Sequence, residues 1–209
     1  MTTELGRPRD KRIDSAVLHA TVELLAETGY ADLSVDAIAR RAGTSKPAIY
    51  RRWPGKAHLV HEAVFPISDA TALPDTGSLA GDVREMVRRT AEVLTTPAAR
   101  AALPGLVGEM AADLTLHSAL LARFGDILSR GLSDRLTDAV ARGEVRPDVT
   151  AAELVEVVAG TTFLALLTRG DALDESWVDR TAVFITRGIS ACAPTTMQSE
   201  AMSRSGANE

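Results

Sequence analysis

An all-α chain is the expectation for these 209 residues, a three-helix N-terminal unit followed by a helical bundle, about nine helices in total. Three observations lead there. Ala and Leu are abundant while aromatics make up only 4%, and straight-chain or small side chains lose little rotamer freedom in a helix, whereas strands want β-branched and aromatic ones. Apolar residues recur at spacings of three and four along most of the chain. No segment alternates convincingly with period two.

The elements follow in order. Ile13, Val17, Ala20 and Leu24, with Ala16 and Leu25 beside them, predict a first amphipathic helix from about Asp10 to Thr28, stopped by Gly29. Ser34 is a good N-cap for a short second helix, Val35 to Ala42, and Asp36 suits its positive first turn. Gly43-Thr44-Ser45 breaks the pattern. A third helix, Lys46 to Trp53, tolerates Pro47 in its first turn and ends at Pro54-Gly55. Lys56 opens a fourth carrying Leu59, Val60, Val64 and Phe65. Residues 66–78 read as a linker. Periodic segments follow at 79–95, 98–112, 115–142, 150–169 and 175–190, with breakers at Pro97, Pro104, Gly143, Pro147 and Gly170. The polar, small-residue tail 194–209 reads as disordered.

Composition narrows the class. With 45% apolar and 24% charged residues, the chain fits an ordinary soluble protein. The single cysteine, Cys192, excludes an internal disulfide framework and a cysteine-rich zinc site. Met1 to Arg12 lacks the apolar core of a secretory signal, and the longest uncharged stretch in a helical segment, Val157 to Thr168, is short for a bilayer. A cytoplasmic protein without a membrane partner is expected. The overall charge of −5 divides unevenly: residues 1–60 hold ten basic against seven acidic side chains, a net +3, which leaves −8 for the rest. A small polyanion-binding end on an acidic body has this asymmetry.

A short helix, a three-residue turn with Gly and a second short helix has the spacing of a helix-turn-helix. Ala39, Ala42 and Ile49 are small or apolar, as close packing of two short helices requires. The exposed side then offers Thr44, Ser45, Lys46, Ala48, Tyr50 and Arg51, whose hydroxyls, charges and phenol suit base edges and phosphates. Lys56, at a helix start, can share a phosphate with backbone N–H groups. The stretch Leu33 to Lys56, preceded by the pair Gly29-Tyr30, resembles the DNA-binding domain of the tetracycline-repressor (TetR) family over about residues 10–60. Pro47 and Arg51-Arg52-Trp53 depart from its commonest members, which bears on operator sequence. The resemblance implies double-stranded DNA as partner. It also implies phosphate contacts at Tyr50 and Lys56, an N-cap facing phosphate at Ser34, and DNA contacts at Thr44, Ser45, Lys46, Pro47, Ala48 and Arg51. Trp53 reads as the plug under the recognition helix, and Arg52 as either a DNA contact or a solvated charge. Arg7, Arg9, Lys11 and Arg12 form a basic arm, either a further DNA contact or a solubilising tail.

The domain reading is 1–60 for DNA, 61–193 for ligand binding and dimerisation, and 194–209 as tail. In the last helix Val178, Ala182, Ile185 and Ile189 form one stripe and Trp177, Thr181, Phe184 and Gly188 the next, and a helix apolar over so much of its girth is buried on two sides. A monomer core satisfies that pattern, as does a homodimer; the resemblance favours the homodimer, with an interface through Ala152, Ala159, Trp177, Val178, Thr181, Phe184 and Ile185. It also implies an effector site within the bundle. Glu109, Met110, Asp113, His117, Phe124, Thr162, Phe163 and Leu166 are the candidate lining, sparse enough in polar groups to suggest an apolar or weakly polar small molecule.

His58 and His61 stand three apart on one helix face, yet no third ligand is evident, so neither a metal nor a cofactor is expected. No glycine-rich phosphate loop, Gly-x-Ser-x-Gly elbow or Cys–His pair is present. The leading reading is a ligand-responsive repressor, not an enzyme. A helical-bundle enzyme or carrier without DNA affinity is the alternative, and an architectural DNA binder without effector a third.

Overall fold

The computed structural model describes residues 11–66, 76–170 and 172–191, with the side chains of 121 and 123–131 outside the described set. The expected tail, most of the 66–78 linker, and Arg7 and Arg9 of the basic arm lie outside it as well. Nine α-helices and no strand occur among the described residues: α1 (Lys11–Asp32), α2 (Val35–Arg41), α3 (Lys46–Tyr50), α4 (Lys56–Val64), α5 (Leu79–Leu94), α6 (Pro97–Ala112), α7 (Leu114–Ala141), α8 (Ala151–Arg169) and α9 (Glu175–Ile189). The all-α expectation holds, each element within a few residues of its predicted bounds.

Local chemistry explains the starts. Ser34, Ser45, Ser78, Thr96, Asp113, Thr150 and Asp174 each cap a helix by accepting a hydrogen bond from a backbone N–H of its first turn, satisfying donors that the helix itself leaves open. At Thr150 the pairing is reciprocal, because Glu153 accepts from the Thr150 N–H in turn. Pro104 was expected as a breaker, but α6 runs through it. The ring removes one backbone hydrogen bond on the exposed side, while Ala98, Ala99, Ala102 and Leu106 bury the opposite face. Tertiary packing outweighs the local cost.

Within α1 the backbone leaves the helical conformation at Gly29, φ 75° and ψ 176°, a region essentially closed to side chains. A Cβ there would meet nothing within 4 Å, so substitution acts through the backbone only. Gly29→Ala is expected to cost about 1–3 kcal/mol, seen in urea as a lower midpoint at unchanged slope. An unchanged midpoint would mean that the segment after Thr28 relaxes without loss.

Two apolar clusters hold the molecule. The first joins α1, α2, α3 and α4 to α6 and to Leu116 and Leu120 of α7. Packing therefore continues across residue 60, because α4 and α6 both lie on α1. The second gathers α5, the latter part of α7, α8 and α9, with Val83, Val87, Leu132, Leu136, Leu154, Val158, Trp177 and Ile185 among its members. Backbone bonds from Arg146 N–H to the Ile189 carbonyl (3.0 Å) and from Ala191 N–H to the Glu144 carbonyl (3.1 Å) tie the α7–α8 connection to the end of α9. The expectation from the uncharged stretch 157–168 needs one correction: α8 has 19 residues and an 18-residue window of mean hydropathy 1.6, long and apolar enough by composition to cross a membrane. Glu153 and Glu156 fall outside that stretch but not outside the helix, and two acidic residues leave its mean high.

Candidate nucleic-acid interface

The reading head is built around Ile49 and Trp53, 1% and 2% exposed, which press the inner side of α3 into the first cluster. With that side fixed, Ser45, Lys46, Pro47, Tyr50 and Arg51 are exposed and Thr44 and Ala48 half-exposed. Ser34 is exposed too, and its oxygen caps α2 by accepting from Ala37 N–H at 3.2 Å. Ser45 does the same for α3, accepting from Ala48 N–H at 3.3 Å, which leaves its hydroxyl hydrogen to point outward. These expected DNA residues are thus all exposed or half-exposed.

Charge pairs hold this head in shape. Arg41 makes a forked pair with Glu27 (2.9 and 3.0 Å) and reaches Glu23 at 3.3 Å, fastening α2 to α1. The hydrogen bond from Arg41 holds the Glu27 carboxyl below its usual range. Lys46 donates to Asp36 at 2.8 Å, and that bond pushes the Lys46 ammonium above its usual range. Arg52, left open by the sequence, is not a solvated charge: it pairs with Asp14 of α1, the two side chains 11% and 18% exposed, and donates to the Ala48 carbonyl at 3.0 Å. No local pattern announces this pair, which depends on α1 and α3 meeting in space. The indole N–H of Trp53 donates to Glu62 of α4 at 2.8 Å, so the plug is also a polar tie. Lys56, half-exposed at the start of α4, donates to the Tyr30 carbonyl at 3.1 Å.

Comparison with known proteins decides what this head belongs to. The family model for bacterial regulatory proteins of the tetR family matches residues 17–63, and that for the tetracyclin repressor-like C-terminal domain matches residues 73–184, more than half of the chain. The chain belongs to the TetR family. It is 33% identical over 178 residues to the DNA-binding transcriptional repressor TetR of Mycobacteroides abscessus, covering 82% of this chain and 90% of that one. It is 29% identical over 196 residues to the uncharacterized HTH-type transcriptional regulator YdeS of Bacillus subtilis, covering 93% and 98%. The crystal structure of the TetR family transcription regulator SCO0332 superposes with a TM-score of 0.65 at 30% identity, over 87% of this chain and all of that one. This TetR-family chain is a transcriptional regulator that binds DNA through its helix-turn-helix.

In the body the expected sites fare differently. Of the effector residues, Asp113 is committed to capping α7, accepting from Thr115 and Leu116 N–H at 2.8 and 3.1 Å. The Thr162 hydroxyl donates to the Val158 carbonyl of its own helix at 2.7 Å. Glu109 is exposed beside the Tyr30 hydroxyl, Met110, His117 and Phe163 are half-buried, Leu166 is buried, and the Phe124 side chain lies outside the described residues. None of them lines the small cleft of about 10 Å³ bounded by Leu79, Asp82, Val83, Met86, Leu132, Arg135, Leu136 and Leu154, which has room for a single water at most. Of the interface residues, Trp177, Val178 and Ile185 turn inward to the protomer's own second cluster, where α9 packs on α5; they are corrected to core. Thr181 is half-buried, whereas Ala152, Ala159 and Phe184 are exposed. Sequence reasoning passed over their neighbours Val157, Leu164, Leu167 and Val183, which are 48%, 61%, 62% and 49% exposed. Helix α8 is apolar over most of its girth from Val157 to Leu167, and that was the available signal for the three on α8.

Two outcomes separate the roles at the head. Lys56→Ala is expected to weaken binding to every DNA sequence and to reduce the salt slope by about one. Replacing Arg51 is expected to change the preference between sequences at a cost of about 1–3 kcal/mol. Equal loss on operator and random DNA, measured by anisotropy, would remove Arg51 from base reading.

Proposed function

We propose that the chain is a dimeric repressor of a palindromic operator, released by a small-molecule effector. One observation carries the dimer: α8 and α9 leave Val157, Leu164, Leu167, Val183 and Phe184 exposed on a body whose other large apolar side chains are mostly buried. Exposed apolar area of this kind marks an interaction surface. The occupant that suits it is a second copy of the chain, since a helix-turn-helix reads two half-sites one turn apart through a two-fold protein. Exposed Ala159 and Gly160 of α8 let a partner helix come close.

Each copy inserts the 46–53 segment into one major groove. Ser34, Tyr50 and Lys56 hold phosphates, and Thr44, Ser45, Lys46, Pro47, Ala48 and Arg51 face the groove. Residues 1–60 form the reading unit and 61–193 the regulatory one, in a cytoplasmic protein. The name of the Mycobacteroides abscessus relative supports repression over activation. An effector that prefers the conformation unable to span both half-sites releases the DNA, and its affinity difference between the two conformations sets the response.

The test is fluorescence anisotropy of the purified protein with DNA from just upstream of its own gene, across a salt series. Saturable binding far above that to scrambled DNA, falling steeply with salt, is expected. Binding without preference would overturn the operator reading at that site. A second reading is regulation without an effector. A panel of apolar compounds that leaves operator binding unchanged would select it.

A further inference from the structure

Lys56, Tyr30 and Gly105 come together from α4, the end of α1 and α6. The Lys56 ammonium stands 4.2 Å from the centroid of the Tyr30 ring and donates to the Tyr30 carbonyl at 3.1 Å. Tyr30 is itself only 7% exposed, and its ring is seated on α6 where position 105 lacks a side chain. A Cβ at Gly105 would lie 2.0 Å from Tyr30 Cδ1 and 2.5 Å from Cγ, so the ring keeps its place only because that residue is glycine. Residue 30 lies within the stretch matched by the N-terminal family model and residue 105 within that matched by the C-terminal one.

We propose that Tyr30, seated on Gly105 of α6, is the positioning residue for the phosphate grip of Lys56. The face of an aromatic ring attracts an ammonium, and the carbonyl takes one of its three donors, which leaves others for a phosphate oxygen. A long side chain held this way has given up its rotamer freedom before DNA arrives, so less is lost on binding. The ring, in turn, goes where α6 puts it. The body thereby sets the geometry of a DNA contact through one aromatic side chain. The proposal rests on the reading of Lys56 as a phosphate contact.

The test is the salt dependence of operator binding for the wild type and five variants: Lys56→Ala, Tyr30→Phe, Tyr30→Leu, Gly105→Ala and the double variant Tyr30→Leu/Gly105→Ala. Each lost phosphate contact makes the change in affinity between 50 and 200 mM salt roughly threefold smaller. Lys56→Ala is expected to show that reduction, Tyr30→Phe to keep the wild-type slope, and Tyr30→Leu and Gly105→Ala to fall towards Lys56→Ala. Where Gly105→Ala folds poorly, the double variant makes room for the new methyl and regains stability, with the slope still low. A merely structural role would lower thermal stability without moving the slope. Wild-type slopes for Tyr30→Leu and the double variant, beside a reduced slope for Lys56→Ala, would overturn the positioning role. An unchanged slope for Lys56→Ala would overturn the phosphate reading, and the proposal with it.

Discussion

Trp53→Ala is expected to destabilise the protein by about 3–5 kcal/mol, the range for truncating a large aromatic side chain in a packed core. The indole is 2% exposed at the end of the recognition segment, and it belongs to the cluster that joins α1–α4 to α6. Two losses add here. Truncation leaves a cavity among side chains that relax only partly, and it removes the 2.8 Å bond to Glu62 that ties the recognition segment to α4. Trp53→Phe separates them: it keeps most of the volume and loses the donor, at an expected cost of about 1–3 kcal/mol. Chemical denaturation of the three proteins measures both terms, and operator affinity at a temperature where all are folded tells whether α3 keeps its orientation. A Trp53→Ala midpoint equal to wild type would mean that the head is held by its ion pairs instead of its core.

Phe184→Asp is expected to separate the copies without harming the fold. At 79% exposed the side chain stabilises nothing within one protomer, and a surface substitution of this kind changes stability within about 0.5 kcal/mol. In the proposed interface, a carboxylate would instead be buried against an apolar partner without a counter-charge. Once the two reading heads are no longer linked, the operator loses the gain of bivalent binding, about 10²–10⁴ in affinity. Sedimentation velocity gives the mass in solution, and anisotropy gives the affinity. A dimer that survives the substitution with full operator binding would place the interface elsewhere. Trp177→Ala makes the contrast: Trp177 belongs to the second cluster, so that variant loses stability first.

Much of the molecule was legible before any coordinates. Periodicity located α1 and α4 to α9, because a buried stripe at spacing three and four is written in the chain itself, and caps and breakers located the short α2 and α3. The turn at residues 43–45, the N-cap Ser34 and the plug Trp53 were legible for the same reason: their chemistry acts within a few residues. Pro104 was misjudged, since the local rule against proline inside a helix holds no knowledge of the surface that α6 covers.

What the sequence by itself determined, then, is the set of helices, their caps and turns, and the residue types offered at the reading head, all consequences of interactions spanning a turn or two of chain. What only the tertiary structure decided is which members of the two apolar stripes of α9 face inward. Val178 and Ile185 of one stripe go to the protomer's core together with Trp177 of the other, while Phe184, on the same stripe as Trp177, stays outside: α9 packs on α5, and the spacing of two adjoining stripes cannot say which members of each that packing covers. The same holds for the charges. Arg52 meets Asp14 and Lys56 meets Tyr30 across a folded interface, and burial and pairing are properties of neighbours brought together from far along the chain, not of the residue or its sequence context.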